Sequence, residues 1–121
     1  MSIPHAAAGV AANLQSPDEL LPEAETFVLV KNESFEAIRM AVRKDCEVCH
    51  NHHVPGPITI QCLKGCVALT AYGETHSLKS NQWTFLPGGV PHTINGVEDS
   101  LVLLTIIFRE GKGARHDNVG Y

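Results

Sequence analysis

The amino-acid sequence predicts a small antiparallel β-barrel. From Thr26 onward, short apolar runs rich in β-branched residues alternate with turn residues at intervals of about 8–12 residues, which is typical of sandwiches and barrels. No helical segment of about 10–15 residues separates these runs, which argues against a parallel α/β sheet. The chain has 121 residues, enough for one domain with a buried core.

The chain divides into an arm, a barrel and a tail. Residues 1–24 contain three prolines and little periodicity, so we expect a loosely ordered N-terminal arm with at most one helical turn at Ser16-Pro17. Residues 25–110 form the barrel domain, and residues 111–121 form a C-terminal tail. The predicted strands are Thr26–Lys31, Phe35–Arg43, Ile58–Lys64, Cys66–Tyr72, Trp83–Leu86, Val90–Asn95 and Leu101–Phe108.

The side-chain alternation of two strands predicts which faces are buried. Ile58, Ile60 and Cys62 recur at every second position, so they share one face, which we expect in the core. The run 101–108 is apolar on both faces, which is typical of a strand that is covered from both sides. Arg39 interrupts an otherwise apolar strand. We place it on the solvated face, with an anchor for an anionic ligand as the alternative.

The segment 73–86 predicts a turn and an aromatic strand. Gly73-Glu74-Thr75-His76 resembles a hairpin turn, which would leave Glu74 and His76 in solvent rather than in a catalytic site. Farther along, the aromatic residues of the run 83–86 alternate with a threonine and a leucine. One of these two faces is therefore expected in the core or at a subunit contact, and the lining of a ligand pocket is the alternative.

Composition and charge exclude several classes of protein. The formal charge is −4, from 13 acidic and 9 basic residues, whereas a dedicated nucleic-acid binder normally has a basic surplus. The longest apolar stretch is far shorter than the roughly 20 residues of a transmembrane helix. The N-terminus has neither a basic region nor a continuous apolar region, so we expect a cytoplasmic protein with reduced cysteines.

Four of the seven histidines can share one site. His50, His52 and His53 fall within four positions, and His92 follows the turn 87–91. Neutral imidazole is the commonest protein ligand for transition metals. In a strand, His50 and His52 point to the same face, and a barrel can bring His92 to the same interior. The alternative is a solvated loop edge. The other histidines, His5, His76 and His116, are expected at the surface.

The four cysteines allow two further interpretations, and neither is favoured. Cys46-Glu47-Val48-Cys49-His50 matches the short pattern of covalent haem attachment, which requires export to an oxidising compartment. With Cys62 and Cys66, the spacing also approximates a structural zinc site. Because Cys62 shares the apolar face of Ile58 and Ile60, we expect it to be a small buried apolar side chain.

Two stretches of the barrel are arranged like known motifs. Asn81 is followed by Pro87-Gly88-Gly89-Val90-Pro91-His92 and then by Asn95. This run is similar to the second motif of the cupin family, with Asn81 in place of the usual Gly. Gly65 matches the end of the first cupin motif. Residues 37–108 therefore resemble a small single-domain bacterial cupin.

The first motif differs from the family pattern. Counting back from Gly65 puts Ile58 where the family has a glutamate ligand. The same count puts Asn51 and His53 at the family's His-x-His positions, whereas a loop insertion of one residue puts His50 and His52 there. The resemblance implies a double-stranded β-helix, or jelly-roll barrel, that is usually dimeric and holds an interior metal in many members.

Two functional hypotheses follow from the resemblance. The first is a metal-dependent enzyme, dioxygenase- or isomerase-like, that holds a divalent transition metal (zinc, iron or nickel) through His92 and two of His50, His52 and His53. The second is a non-catalytic cupin that binds or senses a small molecule at a vestigial metal site, which the loss of the glutamate at Ile58 favours. In both, we expect a small-molecule ligand and a homodimer, since the strand 101–108 is apolar on both faces.

Overall fold

The computed structural model describes residues 6–50 and 56–108, and at Cys49 and His50 it describes the backbone alone. Within these ranges there is one turn of 3-10 helix at Leu21–Glu23 and none of the segments forms a helix able to cross a lipid bilayer. The nine strands are β1 (Phe27–Lys31), β2 (Phe35–Val42), β3 (Glu47–His50), β4 (Ile58–Lys64), β5 (Cys66–Ala71), β6 (Glu74–Lys79), β7 (Trp83–Leu86), β8 (His92–Gly96) and β9 (Ser100–Ile107).

The strands form two sheets that face each other. The five-stranded sheet has the order β1-β2-β9-β4-β7, and the four-stranded sheet has the order β3-β8-β5-β6. Every neighbouring pair in these sheets is antiparallel. From β2 to β9 the chain crosses between the sheets after every strand except β5, which forms a hairpin with β6, and this topology is typical of a jelly roll. The predicted all-β, antiparallel fold class is confirmed.

The core lies between the two sheets. Ile58, Ile60 and Cys62 of β4 are at most 4% exposed, so the predicted apolar face is confirmed. Val67 and Leu69 of β5 supply part of the opposite layer, as expected when the inner faces of two sheets interdigitate. The other buried members of this cluster are Met40, Val42, Leu78, Leu86, Ile94, Val102 and Leu104.

Two turn positions need a left-handed backbone. Gly65, between β4 and β5, has φ +88°, and a Cβ at this position would lie 2.6 Å from the carbonyl oxygen of Asp99 and collide with Ser100 Oγ. Asn81, before β7, has φ +73°. Asparagine tolerates this conformation better than other non-glycine residues. Asn81 therefore holds a backbone conformation that glycine, the usual residue of the second cupin motif, would also adopt.

Strands β3 and β6 do not coincide with any predicted strand. The expected hairpin turn at residues 73–76 is wrong: the turn is formed by Tyr72 and Gly73, both at positive φ, and β6 already begins at Glu74. Five of the six residues in β6 are exposed, which leaves little apolar alternation in the sequence. Its pairing with β5 makes this polar segment a strand. Glu74 and His76 are nevertheless exposed, as predicted.

Arg39 is buried, contrary to the expectation of a solvated side chain. Only 2% of it is exposed, although it points away from the core residue Met40. The N-terminal arm covers this outer face of the five-stranded sheet. Arg39 binds the Glu19 carboxylate with both terminal nitrogens and also donates to the carbonyls of Leu14 and Glu25 at 3.1 and 2.6 Å. The sequence pattern correctly placed Arg39 on the face that points away from the core. It did not show that the N-terminal arm covers this face.

Candidate metal and ligand site

His92 lies at the start of β8, inside the four-stranded sheet. Strand β8 is hydrogen-bonded to β3 on one side and to β5 on the other, so His92 pairs with His50 and with Ala71. Its side chain is only 5% exposed. Pro91 and Gly89 (φ +80°) precede it, and these residue types restrict and shape the turn that sets the position of His92.

The imidazole of His92 is oriented by the backbone of its own turn. Nδ1 lies 3.0 Å from the carbonyl oxygen of Val90. Because a carbonyl oxygen can only accept, Nδ1–H donates in this contact and the lone pair of the neutral ring is at Nε2. Metal-binding histidines are commonly held in this way, with one ring nitrogen bonded to a carbonyl and the other facing the metal.

The other predicted ligands are placed only in part. The antiparallel register puts His50 directly opposite His92. Val48, two positions earlier on β3, packs against the core. The side chain of His50, like the whole of His52 and His53, lies outside the described part of the chain.

The position of the family's glutamate is occupied by an apolar side chain. Ile58 is 4% exposed, belongs to the core cluster and pairs with Leu86 and Ile106. It supplies no anionic ligand to the interior. Across residues 6–48 and 56–108, whose side chains the structure describes, no three His, Cys, Asp or Glu residues lie close enough to hold a metal ion. A complete metal site at His92 would therefore need ligands from outside these ranges, as the histidines of the segment 50–53 could provide.

A cavity of about 590 Å³ adjoins His92. Its walls come from residues 70–73, at the end of β5 and the following turn, and from residues 89–93. The volume lies in the range of about 300–1,000 Å³ that is typical of small-molecule sites. Sequence reasoning missed Tyr72 and the Val90 carbonyl as parts of this site. A tyrosine followed by glycine at a strand end was the available signal for the first, because it is compatible with a tight turn.

None of the three cysteines whose side chains are described lines the cavity beside His92. Cys62 is fully buried in the core, and burial, reinforced by the neighbouring Cys66, raises the pKa of its thiol to about 11. Cys46 is exposed and Cys66 is half-buried, both as free thiols. The side chain of Cys49 lies outside the described part of the chain. Cys62 thus serves as a small apolar side chain, as predicted.

Proteins of known structure share this architecture. The chain is 24% identical to a conserved protein of unknown function from Streptococcus pyogenes, covering 91% of this chain and 97% of that one, with a TM-score of 0.70. An RmlC-like cupin from Desulfovibrio desulfuricans is 19% identical over 81% of this chain and 96% of its own, with a TM-score of 0.68. The chain has the cupin fold.

A second protein described as a cupin has the same fold at lower sequence identity. A cupin superfamily protein from Desulfitobacterium hafniense is 14% identical, covering 83% of this chain and 100% of that one, with a TM-score of 0.66. No family model and no curated protein matches the sequence of this chain. The cupin fold therefore defines the architecture around His92 but does not select a reaction.

Proposed function

We propose that this cupin is a metal-dependent enzyme that acts on a small organic molecule in the cavity beside His92. A divalent transition metal (zinc, iron or nickel) is held by His92 and two of His50, His52 and His53. The buried His92 imidazole carries this proposal, since its bond to the Val90 carbonyl directs the Nε2 lone pair away from the turn.

The donor set fits a metal site made of neutral imidazoles. Open sites with three histidine ligands suit zinc and iron. When bound, such an ion acts as a Lewis acid toward substrate oxygens. Because Ile58 stands where the family has an anionic ligand, this position does not balance the positive charge of the ion. Substrates that bring a negative charge, such as an enolate, a phenolate or a carboxylate, are favoured.

The residues around His92 have separate tasks in this proposal. The Val90 carbonyl keeps the His92 ring in one orientation and tautomer. Thr70, Tyr72 and Thr93 are the polar side chains besides His92 that line the cavity.

Metal binding by variants tests the proposal. Wild type reconstituted with Zn²⁺, Ni²⁺ or Fe²⁺ should retain one ion per chain by mass spectrometry and titration calorimetry. His92→Ala should weaken binding by more than about 100-fold, beyond the usual effect of losing an outer-shell partner. The matched control is His76→Ala, which removes an exposed histidine on β6. Circular dichroism should show folded barrels in all cases, because a core of this size does not need a metal.

The second candidate function is binding of a small ligand without turnover. The apolar Ile58 at the glutamate position favours it. Iron-loaded protein with a panel of β-diketones and catechols, followed in an oxygen electrode, separates the two functions. Oxygen consumption that His92→Ala abolishes supports the enzyme. Ligand-dependent increases in melting temperature without turnover, in a protein that retains no metal, support the binding protein. Retention of the ion by His92→Ala would contradict the proposed site.

A further inference from the structure

A second cavity opens between the edges of the two sheets. It has a volume of about 480 Å³ and lies between β6, the edge strand of the four-stranded sheet, and β7, the edge strand of the five-stranded sheet. The buried side chains of Leu69, Leu78 and Leu86 line it. We name this cavity the β6–β7 cleft. Its walls share only Ala71 and Tyr72 with the cavity beside His92.

Aromatic rings form one wall of the β6–β7 cleft. Trp83 and Phe85 are 56% and 55% exposed, and their ring centroids are 5.8 Å apart with the planes tilted by 32°. Such a tilted pair is a favourable aromatic arrangement that keeps both rings in place. Tyr72 adds a third ring, 69% exposed, at the hairpin tip. Large exposed apolar groups around a concavity with a leucine floor are typical of a binding site.

The polar groups of the cleft favour a cation. Glu74 contributes a carboxylate, which contacts His76 at 3.2 Å, and Gln82 and Thr84 contribute an amide and a hydroxyl. None of the described residues that line the cleft is lysine or arginine. Aromatic faces attract cations through their quadrupole, most strongly when a carboxylate lies nearby. The overall charge of −4 acts in the same direction.

We propose that the β6–β7 cleft binds a small organic cation with an apolar or aromatic body, such as a quaternary ammonium compound. The apolar body contacts the leucine floor, and the cationic head lies against Trp83 and Phe85 with Glu74 as its counter-charge. No residue of the cleft is one of the ligands proposed at His92, although Ala71 in its wall pairs with His92 across the sheet.

Fluorescence provides a direct measurement because Trp83 is the sole tryptophan of the chain. Benzyltrimethylammonium is the probe, and benzyl alcohol and 3-phenylpropionate are its neutral and anionic comparisons. The cation should change the Trp83 emission saturably. The two comparisons should bind at least roughly tenfold more weakly, the difference expected from losing a cation–π contact and a counter-charge.

Variants assign the binding to this cleft. Glu74→Gln should weaken binding of the cation about three- to tenfold, and Phe85→Leu should have a similar effect. The matched control, Glu33→Gln, removes an exposed acid in the turn between β1 and β2 and should change nothing. His92→Ala should bind the probe as wild type does, so loss of the metal site and loss of the cation site are separate results.

Two results would overturn the proposal. One is equal affinity for the cation, the alcohol and the carboxylate, which would make the cleft a general apolar surface. The other is a second copy of the chain in the cleft. In that case light scattering gives a dimer, the Trp83 emission changes on dilution and Phe85→Ser yields monomers.

Discussion

The carboxylate of Glu19 and the guanidinium of Arg39 form a bidentate ion pair that holds the N-terminal arm against the five-stranded sheet. Arg39 also stacks on Phe27, with its Cζ 4.5 Å from the ring centroid. Its Nε is buried without a hydrogen-bond partner among the described residues. The arm thus supplies the oxygens that a cation on this covered face requires.

Removing one partner of this pair should destabilise the barrel. Glu19→Gln is expected to lower the free energy of unfolding by about 1–2 kcal/mol, because Arg39 stays buried with a weaker, neutral acceptor. The value is moderate since 19% of the Glu19 side chain remains exposed. Urea unfolding at neutral pH measures it. Glu33→Gln, in an exposed turn, serves as the control and should change stability little.

The same pair makes stability depend on pH. The hydrogen bonds from Arg39, with its positive charge, hold the pKa of Glu19 below its ordinary value of 4.5. The folded state therefore binds this proton more weakly than the unfolded state, and the stabilisation is lost as the pH falls through the lowered pKa. The free-energy gap between wild type and Glu19→Gln should shrink steadily below about pH 4.5. A gap that stays constant down to pH 3 would contradict this assignment.

Gly65 should tolerate no side chain. Gly65→Ala combines a left-handed backbone with a collision at Asp99 and Ser100, and we expect a loss of at least about 2 kcal/mol. Gly73→Ala is the matched control, because Gly73 has φ +75° but open space around it. Its cost should be about 1 kcal/mol, from the backbone alone. Similar losses in both variants would mean that the close approach at Gly65 is absent.

Asn81 should be replaceable by the residue that the cupin motif normally has. Asn81→Gly is expected to be neutral or to stabilise by a few tenths of a kcal/mol, since glycine adopts the φ of +73° without strain. Asn81→Val should destabilise by about 1–2 kcal/mol, because a β-branched side chain is poorly compatible with this conformation. Thermal unfolding of the three proteins provides the comparison, and equal stability of the glycine and valine variants would refute it.

The cysteines should differ in reactivity. The pKa of about 11 leaves almost no thiolate at Cys62 near pH 8, and burial blocks the reagent, whereas Cys46 is exposed. In a native protein treated with a disulfide reagent, Cys46→Ser should lose one equivalent of the fast reaction. Cys62→Ala should keep the fast phase intact. The denatured wild type should titrate as four thiols. If Cys62→Ala lost one equivalent of the fast reaction, the thiol of Cys62 would be accessible to the reagent in the native protein, which would contradict its burial in the core.

Local sequence patterns were sufficient to predict the burial of a side chain where that burial depends on the alternation within its own strand. The alternation of Ile58, Ile60 and Cys62 predicted their burial, because successive side chains in a strand point to opposite faces. The prolines and glycines before His92 predicted a constrained turn. These features depend on residues close together in the chain, so the sequence alone was enough to predict them.

Tertiary structure decided what covers each face and which strands meet. Strand β6 is mostly polar, and its pairing with β5 makes it a strand. The burial of Arg39 depends on Glu19, which lies 20 positions away in the arm. The placement of His50 opposite His92 follows from the register of β3 on β8. Each is a contact between distant segments, and such contacts depend on the packing of the whole barrel rather than on the periodicity of any single strand.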